Sequence, residues 1–104
     1  MAFLVTLTYR KPDPSILWHS QYFRDVGNAE HFVSYTHVQQ EYGLYDRRTF
    51  NELDPLTLEI SHIWESEEQW NEYLNHSAVR AMQELFEMYN FSKGITREIS
   101  TRTI

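Results

Sequence analysis

Residues 58–70 read LEISHIWESEEQW and change from a strand pattern to a helix pattern. The first seven residues alternate in character, which predicts a strand with two distinct faces. One face carries Leu58, Ile60, His62 and Trp64. The alternation stops at Ser66, and Gln69 follows three residues later in a capping-box arrangement. The two glutamates between them lie where the helix dipole favours negative charge, so we predict that a helix begins here.

Further strands and helices are predicted on both sides of this junction. Alternating runs predict strands, and apolar residues three or four apart predict helices. The predicted elements are a strand over 2–10, a helix over 28–42, strands over 44–53 and 56–65, a helix from 66 to about 89 with a break near 75–77, and a strand over 95–104. This β-α-β-β-α-β order predicts an α+β, ferredoxin-like domain over residues 1–104, with a four-stranded antiparallel sheet and two helices on one face.

Several boundaries rest on residues with particular backbone preferences. Asn28 is a predicted N-cap of the first helix, and Gly43 is well placed as the residue past its end. Asp54-Pro55 favours a tight turn, which predicts a hairpin between the two middle strands.

The stretch 11–27 fits neither period. Pro12 and Pro14 cannot continue a strand ladder, so the chain leaves the sheet there. We predict an ordered loop with some extended backbone, held by four apolar residues: Ile16, Trp18, Tyr22 and Phe23. Trp18, His19 and Tyr22 fit either an aromatic lid over a cavity or a hydrophobic plug that closes the core, and the sequence leaves both open.

Composition excludes several classes of function. The 104 residues carry a formal net charge of −6 and no cysteine. A negative charge argues against nucleic acid as a partner, and the lack of cysteine excludes disulfides and thiolate metal sites. No apolar run approaches the ~18 residues of a membrane helix. We therefore expect a cytoplasmic protein without nucleic-acid or membrane partners.

The stretch WESEEQWNEYLNHSAVRAM (64–82) resembles the dimeric α/β-barrel superfamily, and within it the antibiotic-biosynthesis-monooxygenase-like group. Those proteins show a strand ending in tryptophan, a polar helix start, and an aromatic residue or histidine with a leucine before a short break. The matching residues are Trp64, Glu65-Ser66, Tyr73-Leu74 and 75–77. The resemblance implies a dimeric barrel with a pocket between sheet and helices in each protomer.

The sequence departs from the pattern of that group at four positions and in one connection. Relatives often carry histidine where this chain has Tyr73, and Pro-His where it has Ser77-Ala78. A small or acidic residue commonly stands where this chain has His62. The stretch 11–27 is also longer than the first connection usual in the group.

Two helices on one face would leave the other face of the sheet without a covering layer. Leu4 and Ile63 are predicted on that face, with Leu53 or Ile104 as further candidates. Their polar neighbours are Thr6, Thr8, Glu59 and Ser61. This mixture suits a half-polar interface, so we expect a homodimer packed sheet to sheet.

His62 and an adjacent arginine are the candidate catalytic groups. A histidine on the helix-facing side needs a hydrogen-bond partner or a cavity. It is either a satisfied core or cavity-edge residue, or a pocket-lining proton acceptor or ligand anchor. Arg47 and Arg48 lie on opposite faces of one predicted strand. One would meet solvent or a dimer partner, and the other would point toward the pocket, where a guanidinium can bind a carboxylate or enolate. The alternative is an ion pair within the chain, with Glu59 or Asp46. Periodicity does not decide which arginine points inward, and we take Arg48 as the candidate.

The predicted site takes a small organic ligand, without a metal or a cofactor. The candidate ligand-binding residues are Tyr9, Trp18, His62, Trp64 and Tyr73. His31 and His37 are about 240° apart on their helix, so they do not form one ligand face. The resemblance implies cofactor-independent monooxygenation or isomerisation of a partly apolar substrate. In an enzyme of this kind His62 would be the general base or acid, because the ordinary pKa of histidine, near 6.5, suits that role. One alternative is a non-enzymatic ligand-binding or structural dimer. Another is haem-associated chemistry as in some barrel relatives, which needs an axial histidine on a cavity wall.

Overall fold

The computed structural model describes residues 2–25 and 29–104. Its elements in chain order are β1 (Phe3–Arg10), α1 (His19–Asp25), α2 (Ala29–Glu41), α3 (Leu44–Arg47), β2 (Arg48–Asp54), β3 (Thr57–Trp64), α4 (Glu67–Leu74), α5 (Ser77–Lys93) and β4 (Thr96–Thr103). In the part of the chain so described, no helix combines the length and the apolar composition that crossing a bilayer requires.

The four strands form an antiparallel sheet in the order β2-β3-β1-β4. This order confirms the predicted ferredoxin-like arrangement. In the pairing of β1 with β3, Val5 lies opposite His62 and Leu4 lies opposite Ile63. Val5 and His62 are buried while Ile63 is 43% exposed, so the first pair faces the helices and the second faces away.

Two groups of buried side chains fill the space between the sheet and the helices. One consists of Tyr9, Trp18, Phe23, Leu58, Met82, Phe86, Tyr89 and Ile95. The other consists of Phe3, Val5, Val38, Leu44, Trp64, Tyr73 and Val79. Both groups contain residues of β1 and of α5, so this strand and this helix connect the two halves of the core.

The junction between β3 and α4 follows the sequence prediction. The Oγ of Ser66 accepts a hydrogen bond from the backbone N–H of Gln69 at 3.1 Å. The Oε1 of Gln69 accepts one from the N–H of Glu65 at 2.9 Å, one residue earlier than in the usual capping box. The predicted break is confirmed, because α5 begins after His76, whose Nδ1 accepts a hydrogen bond from the N–H of Ala78 at 3.3 Å.

The prediction of a loop over 11–27 is wrong for residues 19–25, which form α1. His19 and Phe23 are the buried residues of this helix and lie four apart, on one face. A Gln21 side-chain oxygen accepts a hydrogen bond from the Trp18 N–H at 3.1 Å, which satisfies a donor near the helix start. Seven residues make only two turns, too few for a periodic signal among so many aromatic side chains.

The predicted strand over 44–53 begins four residues late. Gly43 has φ 67°, as expected for a residue past a helix end, but the chain then makes the single turn α3 before β2 begins at Arg48. Leu44 is buried, which ties this turn to the core. The C-terminal helix also runs further than predicted, to Lys93, and Gly94 with φ 73° ends it. Asn28, the predicted cap of α2, lies outside the described residues.

Candidate functional site

A cavity of about 650 Å³ lies between the sheet and the helices. This volume falls within the range that is usual for small-molecule sites. The helix-facing side chains of β1 and β3 form one wall, including Val5, Leu7, Leu58 and Ile60. Phe32, Tyr35 and Phe86 are among the helix residues that line it. The walls are therefore largely apolar, with polar groups at a few places.

The structure brings all six sequence-predicted site residues to this cavity. They are Tyr9, Trp18, Arg48, His62, Trp64 and Tyr73. Tyr9 lies on β1, and His62 and Trp64 lie on β3, so strand alternation accounts for these three. The others are Arg48 on β2, Tyr73 on α4 and Trp18 in the segment before α1. Their common location is a property of the fold, and the roles assigned to them remain predictions.

His62 is a buried histidine that lacks hydrogen-bond partners within residues 2–25 and 29–104. It is 7% exposed, and neither ring nitrogen has a partner there. Its ring contacts that of Trp64 edge to face, with 4.2 Å between the centroids, and the indole N–H of Trp64 is also unpaired. Burial and the nearby charges of Arg48 and Arg47 lower the pKa of His62 to about 4. The imidazole is therefore neutral at pH 7.

Arg48 is the arginine that faces the cavity. Its Cα pairs with that of His62 across β2 and β3, and its guanidinium carbon lies 4.6 Å from the centre of the Phe50 ring. Arg47 instead makes an exposed ion pair, with 3.6 Å between its Nη2 and the Oε1 of Glu65. An anionic oxygen bound beside Arg48 would have a cation on one side and the neutral His62 on the other.

Trp18 and His19 close another part of the cavity. Both are buried, and the His19 ring lies 4.5 Å from the ring of Tyr9 and 4.6 Å from that of Phe86. Burial, and secondarily the charge of Arg97, lowers the pKa of His19 to about 4. Tyr22 does not line the cavity but stacks on Tyr89, with 4.5 Å between the ring centroids.

Sequence reasoning missed several residues of the cavity wall. Tyr35, Gln39 and Phe86 are among them. The Nε2 of Gln39 donates a hydrogen bond to the hydroxyl of Tyr73 at 3.5 Å, which links α2 to α4. Tyr35 and Gln39 lie four apart on α2, so their common face was detectable, but nothing in the sequence distinguishes a cavity wall from solid core.

Because His19 and His62 are neutral in the folded protein, we predict that its free energy of unfolding falls in mild acid. As the pH drops below 6.5, the unfolded chain takes up protons at His19 and His62 while the folded chain does not. The unfolding free energy should fall by up to about 1.4 kcal/mol per pH unit for each histidine, and this loss should end near pH 4. Urea unfolding at pH 7.5 and pH 5 measures it.

The histidine variants provide the control for this pH effect. His19→Phe and His62→Phe should each make the pH dependence of the unfolding free energy shallower. Equal or greater stability of the wild-type protein at pH 5 would contradict the assignment of two buried neutral imidazoles.

Solved structures similar to this chain share its fold across nearly its whole length. SnoaB from Streptomyces nogalater, a cofactor-independent oxygenase, has a TM-score of 0.63 and 8% identity, covering 99% of this chain and 92% of that one. Candidate antibiotic biosynthesis monooxygenases from Deinococcus radiodurans and Caulobacter crescentus have TM-scores of 0.61 and 0.62. The Deinococcus radiodurans protein is 14% identical, and the match covers 98% of this chain and 91% of that one. The Caulobacter crescentus protein is 7% identical, and the match covers 99% of this chain and 90% of that one.

At these identities the similarity concerns the fold alone. No family model and no curated protein matches the sequence. The fold nevertheless agrees with the resemblance found at residues 64–82, including the tryptophan that ends β3 and the break between α4 and α5. The chain therefore has the ferredoxin-like fold of the antibiotic-biosynthesis-monooxygenase-like proteins.

Proposed function

We propose that this protein binds a small, partly apolar organic molecule in the cavity and oxygenates it without a cofactor. One observation carries the proposal: His62, whose two ring nitrogens have no partner within the described residues, lies beside Arg48 on the wall of a mostly apolar cavity of about 650 Å³. An unsatisfied buried polar group reduces stability by about 1–3 kcal/mol. Such groups are retained where a ligand uses them, which supports a binding role for this wall.

In the proposed reaction His62 is the general base. The neutral imidazole accepts a proton from an activated C–H or O–H group of the substrate, and Arg48 stabilises the enolate or phenolate that results. A pKa of about 4 makes His62 a weak base in the empty site. The substrate anion that forms beside His62 offsets the positive charge of Arg48 and therefore raises the pKa of His62. Proton transfer to His62 and stabilisation of the anion by Arg48 therefore depend on each other.

Both nitrogens of His62 are shielded from solvent, so substrate binding must displace a neighbouring side chain. We assign this movement to Arg48, which is only half-buried and lies next to His62 in the sheet.

Once formed, the substrate carbanion reacts with dissolved O₂. One oxygen atom replaces the two hydrogens of the substrate carbon as a carbonyl, and the other leaves as water.

The SnoaB description as a cofactor-independent oxygenase supports this reaction type over isomerisation.

A second candidate function is binding without turnover. The low pKa of His62 favours it, since a neutral imidazole that is a poor base can still donate and accept hydrogen bonds. Oxygen uptake separates the two functions: an oxygen-electrode trace with activated methylene compounds should show enzyme-dependent O₂ loss. A protein that binds these compounds without O₂ loss is a carrier.

We also propose that two copies associate through the outer face of the sheet. Ile63 is 43% exposed there, beside Leu4, and Ile104, one residue past the end of β4, is also exposed. Around Leu4 and Ile63 the face carries Thr6, Thr8, Ser61, Glu59 and Arg102, a half-polar surface that suits a partner better than a fully apolar one would suit open water.

Ile63→Lys should therefore weaken dimerisation at least tenfold. A lysine would place a charge beside Leu4, in the apolar patch that the second copy covers. Burying a charge without an opposite charge next to it is unfavourable. Sedimentation equilibrium measures the dissociation constant. Met88→Lys, at a 70% exposed position on α5, is the matched control and should leave the constant unchanged. A wild-type protein that is monomeric at micromolar concentration would contradict the proposal.

A further inference from the structure

The end of the cavity that α1 closes contains its own set of buried polar atoms. The indole N–H of Trp18 and the Nδ1 of His19 have no hydrogen-bond partner in the described part of the chain. Both residues line the cavity, and both are more than nine-tenths buried. Tyr9 lies next to them, and its hydroxyl interacts with Arg97 of β4.

A purely hydrophobic plug does not explain these atoms. Phenylalanine at position 19 would fill similar space without a buried unpaired nitrogen, whereas a buried nitrogen that lacks a hydrogen-bond partner lowers stability. Lys11 reinforces the local arrangement, because its Nζ donates to the carbonyl of Ile16 and lies 4.5 Å from the centre of the Trp18 ring. The chain therefore holds Trp18 and His19 in place although these two nitrogens have no partner within the described residues. Like the nitrogens of His62 they are shielded from solvent, so a ligand reaches them only when a neighbouring side chain moves.

The polar atoms near α1 and those near His62 lie at opposite ends of the cavity. The strand register places Val5 beside His62 and Tyr9 beside Leu58. Val5 and Tyr9 are four residues apart on β1, or about 13 Å along the strand. Apolar side chains occupy the wall between these ends, namely Leu7 on β1 and Ile60 on β3.

We propose that Trp18 and His19 form a second polar subsite, so that the cavity selects an elongated, mostly apolar molecule with a neutral oxygen-bearing group at each end. This proposal rests on the proposed binding function and adds the ligand's second contact. Hydroxyl or carbonyl oxygens fit, because the indole is a donor and an imidazole supplies one donor and one acceptor. The low pKa of His19 keeps its imidazole neutral at pH 7, so this side chain itself offers a carboxylate no ion pair.

Two matched probes test the second subsite: 4-hydroxybiphenyl has an oxygen at one end, and 4,4′-dihydroxybiphenyl has one at both. The wild-type protein should bind the two-ended probe about five- to tenfold more tightly, the effect of one additional hydrogen bond. His19→Phe should remove this preference, so that the two probes bind this variant with similar affinity. Quenching of tryptophan fluorescence gives both dissociation constants, because Trp18 and Trp64 line the cavity.

Controls and a second variant keep the outcomes distinct. His37→Phe, exposed on α2, should retain the preference. Trp18→Phe keeps an aromatic ring but removes the indole N–H, and it should reduce the preference even if His19→Phe fails to fold. Equal affinity of the wild-type protein for both probes would overturn the second subsite while leaving cavity binding intact. Binding of neither probe would overturn the proposed binding function together with this subsite.

Discussion

His62→Phe should lower the turnover of an oxygenated substrate by about 100- to 10,000-fold, the usual contribution of a positioned general base. Phenylalanine fills similar space and keeps an aromatic ring against Trp64, but it cannot accept a proton. The substrate KM should change much less than kcat, because most of the apolar cavity wall is preserved. Oxygen uptake at saturating substrate measures the effect.

The same variant should be at least as stable as the wild-type protein. It removes two buried nitrogens without partners in the described part of the chain, so its unfolding free energy should rise by roughly 1–3 kcal/mol. A variant that loses activity and gains stability identifies a side chain that serves function although it lowers the stability of the fold. His37→Phe is the control for histidine loss and should change neither quantity. Undiminished turnover by His62→Phe would end the catalytic assignment.

Trp64→Ala should destabilise the protein by about 3–5 kcal/mol, the usual range for truncating a buried large aromatic residue. Trp64 is 1% exposed, and its ring contacts those of Tyr42, His62, Trp70 and Tyr73. The loss is a large fraction of the stability that a domain of this size has. Urea unfolding monitored by far-UV circular dichroism measures it.

Phe91→Ala provides the matched control for Trp64→Ala. Phe91 is 91% exposed on α5, so its removal should change the unfolding free energy by less than about 0.5 kcal/mol. A loss below about 1 kcal/mol for Trp64→Ala would show that the aromatic cluster around β3 is not the structural centre of this half of the core.

The face on which His62 lies was predictable because strand alternation is local. The pattern from Leu58 to Trp64 fixes which side chains point together, and the capping signal at Ser66 fixes where the strand must stop. The orientation of Arg48 was not predictable in this way. It depends on where β2 begins, and the helical turn after Gly43 sets that position through tertiary packing of Leu44.

The cavity itself could not be derived from sequence patterns. Leu7, Ile60 and Phe86 would have the same apolar character in a solid core, and only the spacing of sheet and helices leaves room between them. α1 was missed for a related reason, because His19 and Phe23 provide a single i, i+4 pair. Residues chosen for their chemistry, such as Trp18 and Tyr73, were nevertheless found on the cavity wall.

A crystal structure of the protein with 4-hydroxybiphenyl tests the central claim most directly, since the claim is that the cavity beside His62 binds a partly apolar molecule. We expect the rings between the sheet and the helices, near Leu7 and Ile60, and the hydroxyl oxygen about 2.7–3.2 Å from a nitrogen of His62 or from the guanidinium of Arg48. An interior filled by side chains, with the probe absent or bound only at the surface, would contradict the account.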